Sequence, residues 1–309
     1  MPGNTTAVIG LFKKYIDQPH RWLLLLLAAL ISESAYAELC TLQDASKRQQ
    51  SEFAALLSAE LNVQQHFIGA VEDGELATCE LIVTLGSTAA KRAADWDGPV
   101  IHAMLSREHY HSLYPSEPAY WRSAIYLDTP LHRYIALIDS TLPRHKEILV
   151  FGSERSEPLY RELESEAQRV GRHVRMVPYR SGMLFDQLLQ RHADANTVLL
   201  VLPDTNVLNS DTARALIMAA YQRAVPLVSY SPGLVRAGAL MAVYSSPAHQ
   251  VAAVEESIRQ WQHSGQLATA TYVPDYDISI NYQLARAMRL RIPAEPLVID
   301  RMGQVDTHE

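Results

Sequence analysis

Short apolar runs alternate with amphipathic stretches along almost the whole chain after residue 38, and the series runs through twice. Leu81-Ile82-Val83-Thr84-Leu85, Ile148-Leu149-Val150-Phe151 and Val198-Leu199-Leu200-Val201-Leu202 are near-continuous apolar segments, the pattern of strands covered on both faces. Weaker strands are predicted over Leu39–Leu42, His66–Val71, Val100–Met104, His173–Val177 and Pro226–Tyr230. Phe53, Leu56, Leu57 and Leu61 recur at three- and four-residue spacing and mark one face of a helix. Further helices are predicted over Leu131–Leu142, Pro158–Val170, Met183–Gln190, Thr212–Ala224, Val251–His263 and Asn281–Leu290. Residues 106–122, rich in Tyr, His, Ser and Pro, read as a loop. Strands separated by helices of about ten to fifteen residues build βαβ units and a parallel sheet. The two series split near Pro143. The chain is therefore expected to be α/β, with two doubly wound, flavodoxin-like parallel-sheet lobes joined by a hinge.

The first forty residues follow a different pattern. Lys13, Lys14 and Arg21 precede an apolar run from Trp22 to Ile31, and Ala35-Tyr36-Ala37 follows. This is the basic, apolar, small-x-small order of a secretory signal peptide, with cleavage expected after Ala37. The run of about ten residues is too short to cross a bilayer of about 30 Å as a helix. Ala37-Glu38-Leu39 does not provide the small residues that lipidation of Cys40 needs. The protein is thus expected in the periplasm. In that oxidising compartment Cys40 and Cys79 either pair or remain two separate buried thiols.

Composition excludes several functions. With 34 acidic against 27 basic residues the net charge is −7, and no basic stripe offsets it, so nucleic acid is not expected as a partner. The two cysteines are not in C-x-x-C form, which excludes a zinc ribbon or a thioredoxin-like site. No G-x-S-x-G, H-E-x-x-H, Walker or dinucleotide fingerprint is present, so the chain is not read as an enzyme and no cofactor is assigned. His102, His109 and His111 are the one metal-like grouping in the sequence. An H-x-H pair in a loop can bind zinc, but no metal site is assigned to it.

The polar residues worth weighing follow the strands, because open parallel sheets bind ligands outside the carboxyl ends of their strands. Gly86-Ser87-Thr88 opens a helix, where free N–H groups and hydroxyls suit an anion. Pro203-Asp204-Thr205 puts a carboxylate where a ligand ammonium would be met. Ser229-Tyr230-Ser231-Pro232 offers an aromatic face with hydroxyls, and Ser153 follows the strand ending at Gly152. Ser87 or Thr88 also has a plain reading as a cap of its own helix, and Asp204 as a helix cap or a hinge salt bridge. Together they describe a cleft for a small polar or zwitterionic molecule.

The run Leu81-Ile82-Val83-Thr84-Leu85-Gly86-Ser87-Thr88-Ala89-Ala90 resembles the first signature block of a family of ABC-transporter substrate-binding proteins with the type I periplasmic binding fold, which includes tryptophan/tyrosine-type binders. Leu142-Pro143 before Glu147-Ile148-Leu149-Val150, Val201-Leu202-Pro203-Asp204, Val225-Pro226-Leu227-Val228-Ser229 with Leu234 to Leu240, and Ile280-Asn281 with Leu290-Arg291-Ile292-Pro293 match later blocks in order. Residues 105–122 match no block. The resemblance implies two lobes joined by three crossovers. Residues 38–143 with about 243–272 would form one lobe, residues 144–242 with about 273–300 the other, and residues 301–309 a tail. It also implies an amino-acid-like ligand in the cleft, with Ser87 and Thr88 on its anionic group and Asp204 on its cationic one. The expected partner is an inner-membrane ABC permease or, alternatively, a membrane sensor, and a monomer suffices for either. The flavodoxin-like strand order 2-1-3 would then set Cys40 and Cys79 at the same end of neighbouring strands.

Overall fold

The computed structural model describes residues 38–69, 75–116 and 120–306; the predicted signal peptide lies outside them. Two six-stranded sheets carry the architecture. The first contains β1 (Leu39–Gln43), β2 (Val63–Phe67), β3 (Leu81–Leu85), β4 (Val100–Leu105), β5 (Arg122–Tyr126) and β11 (Thr271–Tyr272), in the order β11-β5-β4-β3-β1-β2. The second contains β6 (Glu147–Gly152), β7 (His173–Pro178), β8 (Thr197–Leu200), β9 (Leu227–Ser229), β10 (Met241–Tyr244) and β12 (Asp277–Ile280), in the order β12-β10-β9-β8-β6-β7. The first sheet is parallel throughout, and in the second only β12 runs antiparallel, beside β10. The predicted two-lobe α/β fold is observed, including the 2-1-3 order at the start of the first sheet.

The central strands are buried along their whole length because helices cover both faces. Every residue of β1 and β3 is buried. Helix α1 (Arg48–Glu60) lays Phe53, Ala54 and Leu57 on the first sheet, and Leu56, read as part of the same face, points outward. Cys40 and Cys79 are joined by a disulfide, with Cα atoms 5.8 Å apart.

Residues 106–122 are not one loop. Their described residues hold helix α3 (Arg107–Leu113), which follows α2 (Gly86–Arg92), and the first residue of β5, Arg122. Ser106 caps α3 by accepting the His109 N–H. The basic side chain of Arg122 turns inward and donates to the carbonyls of Ala94, Trp96, Gly98 and Trp121. An arginine at the head of a buried strand conceals that strand in the sequence.

Helix α4 (Leu131–Thr141) shows where the chain first crosses between lobes. Leu131, Tyr134, Ile135 and Ile138 pack with Ile148, Val150, Val198 and Leu200, so α4 lies on the second sheet. The crossing falls between β5 and α4, ahead of Pro130, rather than near Pro143. Pro143 only ends α4, and Arg172 of the second lobe seals that end by binding Asp139 (2.7 Å) and the Leu142 carbonyl (3.4 Å). After α5 (Glu157–Arg169), α6 (Phe185–His192), α7 (Ala213–Gln222) and α8 (Pro232–Ala237), the chain crosses back between β10 and α9 (Pro247–Ser264). Ser246 caps α9, whose Val251, Val254 and Ile258 join the first core. The last crossing links β11 to β12 and is followed by α10 (Tyr282–Ala287) and α11 (Glu295–Asp306). The segment expected to be a tail is helical as far as residue 306, and Met302 is buried in the second core.

The crossovers are tied to one another. Arg133 of α4 donates to the carbonyls of Val273 (2.9 Å) and Pro274 (2.6 Å), and its guanidinium lies 4.6 Å from the centre of the Tyr276 ring. Ser245 donates to the Asp275 carbonyl at 2.8 Å. Each lobe therefore keeps its own core while side chains from neighbouring segments brace the connections.

Candidate functional site

In the second lobe Asp204, just past β8, organises the strand-end loops. Its Oδ2 accepts from the Ser153 N–H (2.9 Å), the Ser153 hydroxyl (2.7 Å) and the Ser156 hydroxyl, and its Oδ1 accepts from the Asn206 N–H (2.9 Å). Asn206 also donates from its side chain to the Ser153 hydroxyl. Burial alone would raise the Asp204 carboxyl, but the hydrogen bonds from Ser156, Ser153 and Asn206 outweigh it and hold the group below the usual carboxylate range. A carboxylate accepting four donors is largely committed. Asp204 therefore ties the loop after β6 to the loop after β8 and stands in direct contact with Ser153.

The other second-lobe candidates lie close by. Thr205 is exposed, and its carbonyl accepts from the Asn209 side chain. Tyr230 packs its ring on both cores of this lobe, and burial raises its hydroxyl pKa. Ser231 is spent as a cap: its hydroxyl accepts the Gly233 N–H at the start of α8.

In the first lobe Ser87 and Thr88 are exposed in the first turn of α2, and neither caps the helix. Gly86 ahead of them has φ +83°, and a Cβ there would stand 2.5 Å from Gln50 Nε2. Gln50 in turn accepts the Asp44 N–H at 2.8 Å, so its amide lies across the mouth of β1 and β3. Glycine allows this close crossing. Among the described residues no hydrogen bond joins Ser87 or Thr88 to the second-lobe candidates.

The three histidines have separate roles. His102 is fully buried between the Thr84 hydroxyl (2.7 Å) and the Tyr114 hydroxyl (3.0 Å). Burial and the Arg122 charge push its pKa down to about 3, so the ring stays neutral. His109 binds the hydroxyl of Ser106 at 2.6 Å, and His111 lies edge-on to Tyr110. Among the described residues the one close grouping of three metal-ligating side chains is Cys40, Cys79 and His66, whose Nε2 lies 3.9 Å from Cys79 Sγ. Both sulfurs there are engaged in the disulfide.

The contact that sequence reasoning missed lies at the carboxyl end of β4. Arg107 reaches from the first lobe to Glu162 on α5 of the second and pairs with it through both terminal guanidinium nitrogens, Nη1 at 3.2 Å from Oε1. The Arg107 N–H donates to Asp128 Oδ2 at 2.5 Å, and its guanidinium lies 5.7 Å from the centre of the Tyr272 ring. Tyr272 meets Tyr126 edge-on at 5.1 Å. Burial raises the Asp128 carboxyl against the pull of the Arg107 N–H and charge, and pushes the Tyr272 hydroxyl up to about 12. One signal was legible: Ser106 followed by Glu108 in a first turn is a helix-start signature.

No protein-family model matches the chain, and no curated protein matches it by sequence. Solved structures do. A substrate-binding protein with adhesive properties from Clostridium difficile, in a ligand-free open form, superposes with a TM-score of 0.69 at 16% identity, over 84% of this chain and 96% of that one. An ABC domain in complex with L-Trp from Streptococcus pneumonia gives 0.60 at 17% identity, over 86% and 98%. A periplasmic ribose ABC transporter from Conexibacter woesei gives 0.53 at 13% identity, over 82% and 95%. The shared architecture is that of the type I periplasmic binding fold. Among the described residues no helix is long and apolar enough to cross a membrane.

Proposed function

We propose that this chain is an exported solute-binding protein that captures a small molecule between its lobes and delivers it to an inner-membrane ABC permease. One observation carries the reading: two sheets of corresponding strand order are joined by three crossovers, and polar loops follow their strand ends. A ligand held outside the carboxyl ends of both sheets is enclosed by hinge closure. The basic and apolar leader ending at Ala35-Tyr36-Ala37 supports export to the periplasm, and a disulfide agrees with an oxidising compartment.

Binding rather than catalysis is the assigned role. His102, the one buried histidine among the described residues, is neutral and engaged on both nitrogens. An amino acid or similar small polar molecule is the proposed ligand. Ser87 and Thr88 present free hydroxyls to its anionic group, and Tyr230 provides an aromatic wall. Asp204 acts one step removed, holding Ser153 and the neighbouring Thr205 loop in place. A monomer is sufficient for this task, and no nucleic acid takes part.

A thermal-shift screen of the purified protein tests the proposal, using amino acids, small peptides, purines and sugars. A ligand at a hundred times its dissociation constant adds about 2.7 kcal/mol, a shift of several degrees. A zwitterionic hit supports the reading and supplies the specificity, and a sugar or purine hit moves the ligand class. A folded protein that responds to nothing and carries no copurified ligand refutes solute capture.

A further inference from the structure

We infer that Arg107 and Glu162 form an electrostatic latch that holds the two lobes together without a ligand. The two residues belong to different lobes: Arg107 opens α3 at the end of β4, and Glu162 sits on α5 over the second sheet. The contact is two-pronged, the geometry in which a guanidinium binds a carboxylate most specifically.

The first-lobe half is aimed before it meets its partner. Asp128 Oδ2 takes the Arg107 backbone N–H, and Ser106 caps the same turn. The guanidinium also lies over the ring of Tyr272. Tyr272 ends β11, where the chain leaves for the last crossover, so the latch stands beside the hinge. Parting of the lobes at this corner breaks the pair, and their approach makes it.

The pair is suited to reversible use. The Arg107 side chain is 28% exposed and that of Glu162 38%, so each regains water when the lobes part. A fully buried pair would carry a large desolvation cost on closing, and a fully exposed one would contribute little. Partial exposure also leaves the latch open to screening by salt. The lobes otherwise keep separate cores, so opening at this corner strips no large apolar surface.

The latch can be tested without knowing the ligand. Spin labels at exposed Leu56 on α1 and exposed Tyr221 on α7 report the distance between lobes in the purified protein. The wild-type label pair is expected to favour one short distance at low salt and to shift toward longer ones at high salt. Glu162→Gln is expected to lower the closed-to-open ratio about fivefold at low salt and to remove most of the salt dependence. The exchange Arg107→Glu with Glu162→Arg restores the short distance if the pair itself is responsible. A Glu162→Gln distribution that matches the wild type, with the same salt response, overturns the latch. An exchange variant that is folded by circular dichroism yet as open as the single variant overturns it as well. A flat ligand screen bears on solute capture alone, because this distance readout involves no ligand.

Discussion

Replacing Asp204 by Ala separates its two possible roles. The substitution removes the common acceptor of four donors, the Ser153 N–H, the Ser153 hydroxyl, the Ser156 hydroxyl and the Asn206 N–H. Ser153 and Asn206 lie near enough to solvent to recruit water, whereas Ser156 is 3% exposed and is left without a partner. Bonds to a charged acceptor contribute about 1.5–3 kcal/mol each, and a stranded buried donor costs about 1–3 kcal/mol. With partial recovery through water, the expected loss is about 3–5 kcal/mol. For a chain of this size each kcal/mol moves the midpoint by about 2–4 °C, so thermal denaturation followed by circular dichroism should show a fall of roughly 6–20 °C. Asp204→Asn keeps one acceptor but turns an amide donor toward other donors, and should fall about half as far. The pH dependence has a definite sign. The folded carboxyl titrates below its unfolded value, so its contribution is complete above about pH 4 and disappears as pH falls through the folded pKa. The gap between wild type and Asp204→Asn should therefore narrow in acid. An Asp204→Ala midpoint within about 2 °C of wild type would refute the buttress argument. If that variant also lost its ligand, Asp204 would be a direct ligand contact.

Two further perturbations follow from contacts elsewhere in the first lobe. The Cys40–Cys79 disulfide closes a separation of 39 residues, for which chain entropy gives about 4 kcal/mol, so Cys40→Ser with Cys79→Ser should lower the urea midpoint by a corresponding amount. Intact mass with and without reductant checks the bond first, and an unchanged mass would mean that the thiols are free. Gly86→Ala should cost about 1–2 kcal/mol, because φ +83° disfavours a side chain and the new Cβ meets Gln50 Nε2. In a double-mutant cycle Gln50→Ala should recover the steric part and leave the backbone part, and full recovery would show that φ carries no cost there.

Much of the fold was legible because parallel strands buried on both faces are spelled as continuous apolar runs. Ile82 to Leu85 and Ile148 to Phe151 could be read from their own residues, and Phe53 and Leu57 located the helix face that meets the sheet. Strands whose burial depends on a partner were illegible. Met241–Tyr244 pairs antiparallel with Asp277–Ile280, two short segments brought together only by the last crossover. Arg122 at the head of β5 looks polar until the carbonyls of α2's trailing turn surround it. Pro143 shows the same limit, since a proline announces the end of a helix but carries no information about which sheet that helix covers.

The candidate site divides along the same line. The sequence places Ser87, Thr88, Ser153, Asp204, Tyr230 and Ser231 after strands, because a change from apolar to polar residues marks where a buried strand emerges. It also implies two lobes, because the βαβ series occurs twice. Which side chains remain free is a different kind of fact. Asp204 is engaged by residues 51 and 48 positions away, and Arg107 by a carboxylate 55 positions away on the other lobe. Local propensity acts over a few neighbouring residues, whereas a hydrogen bond needs its partner within about 3 Å. Only the folded chain brings such distant residues that close, so tertiary structure alone made Asp204 a buttress and Arg107 the bridge between the lobes.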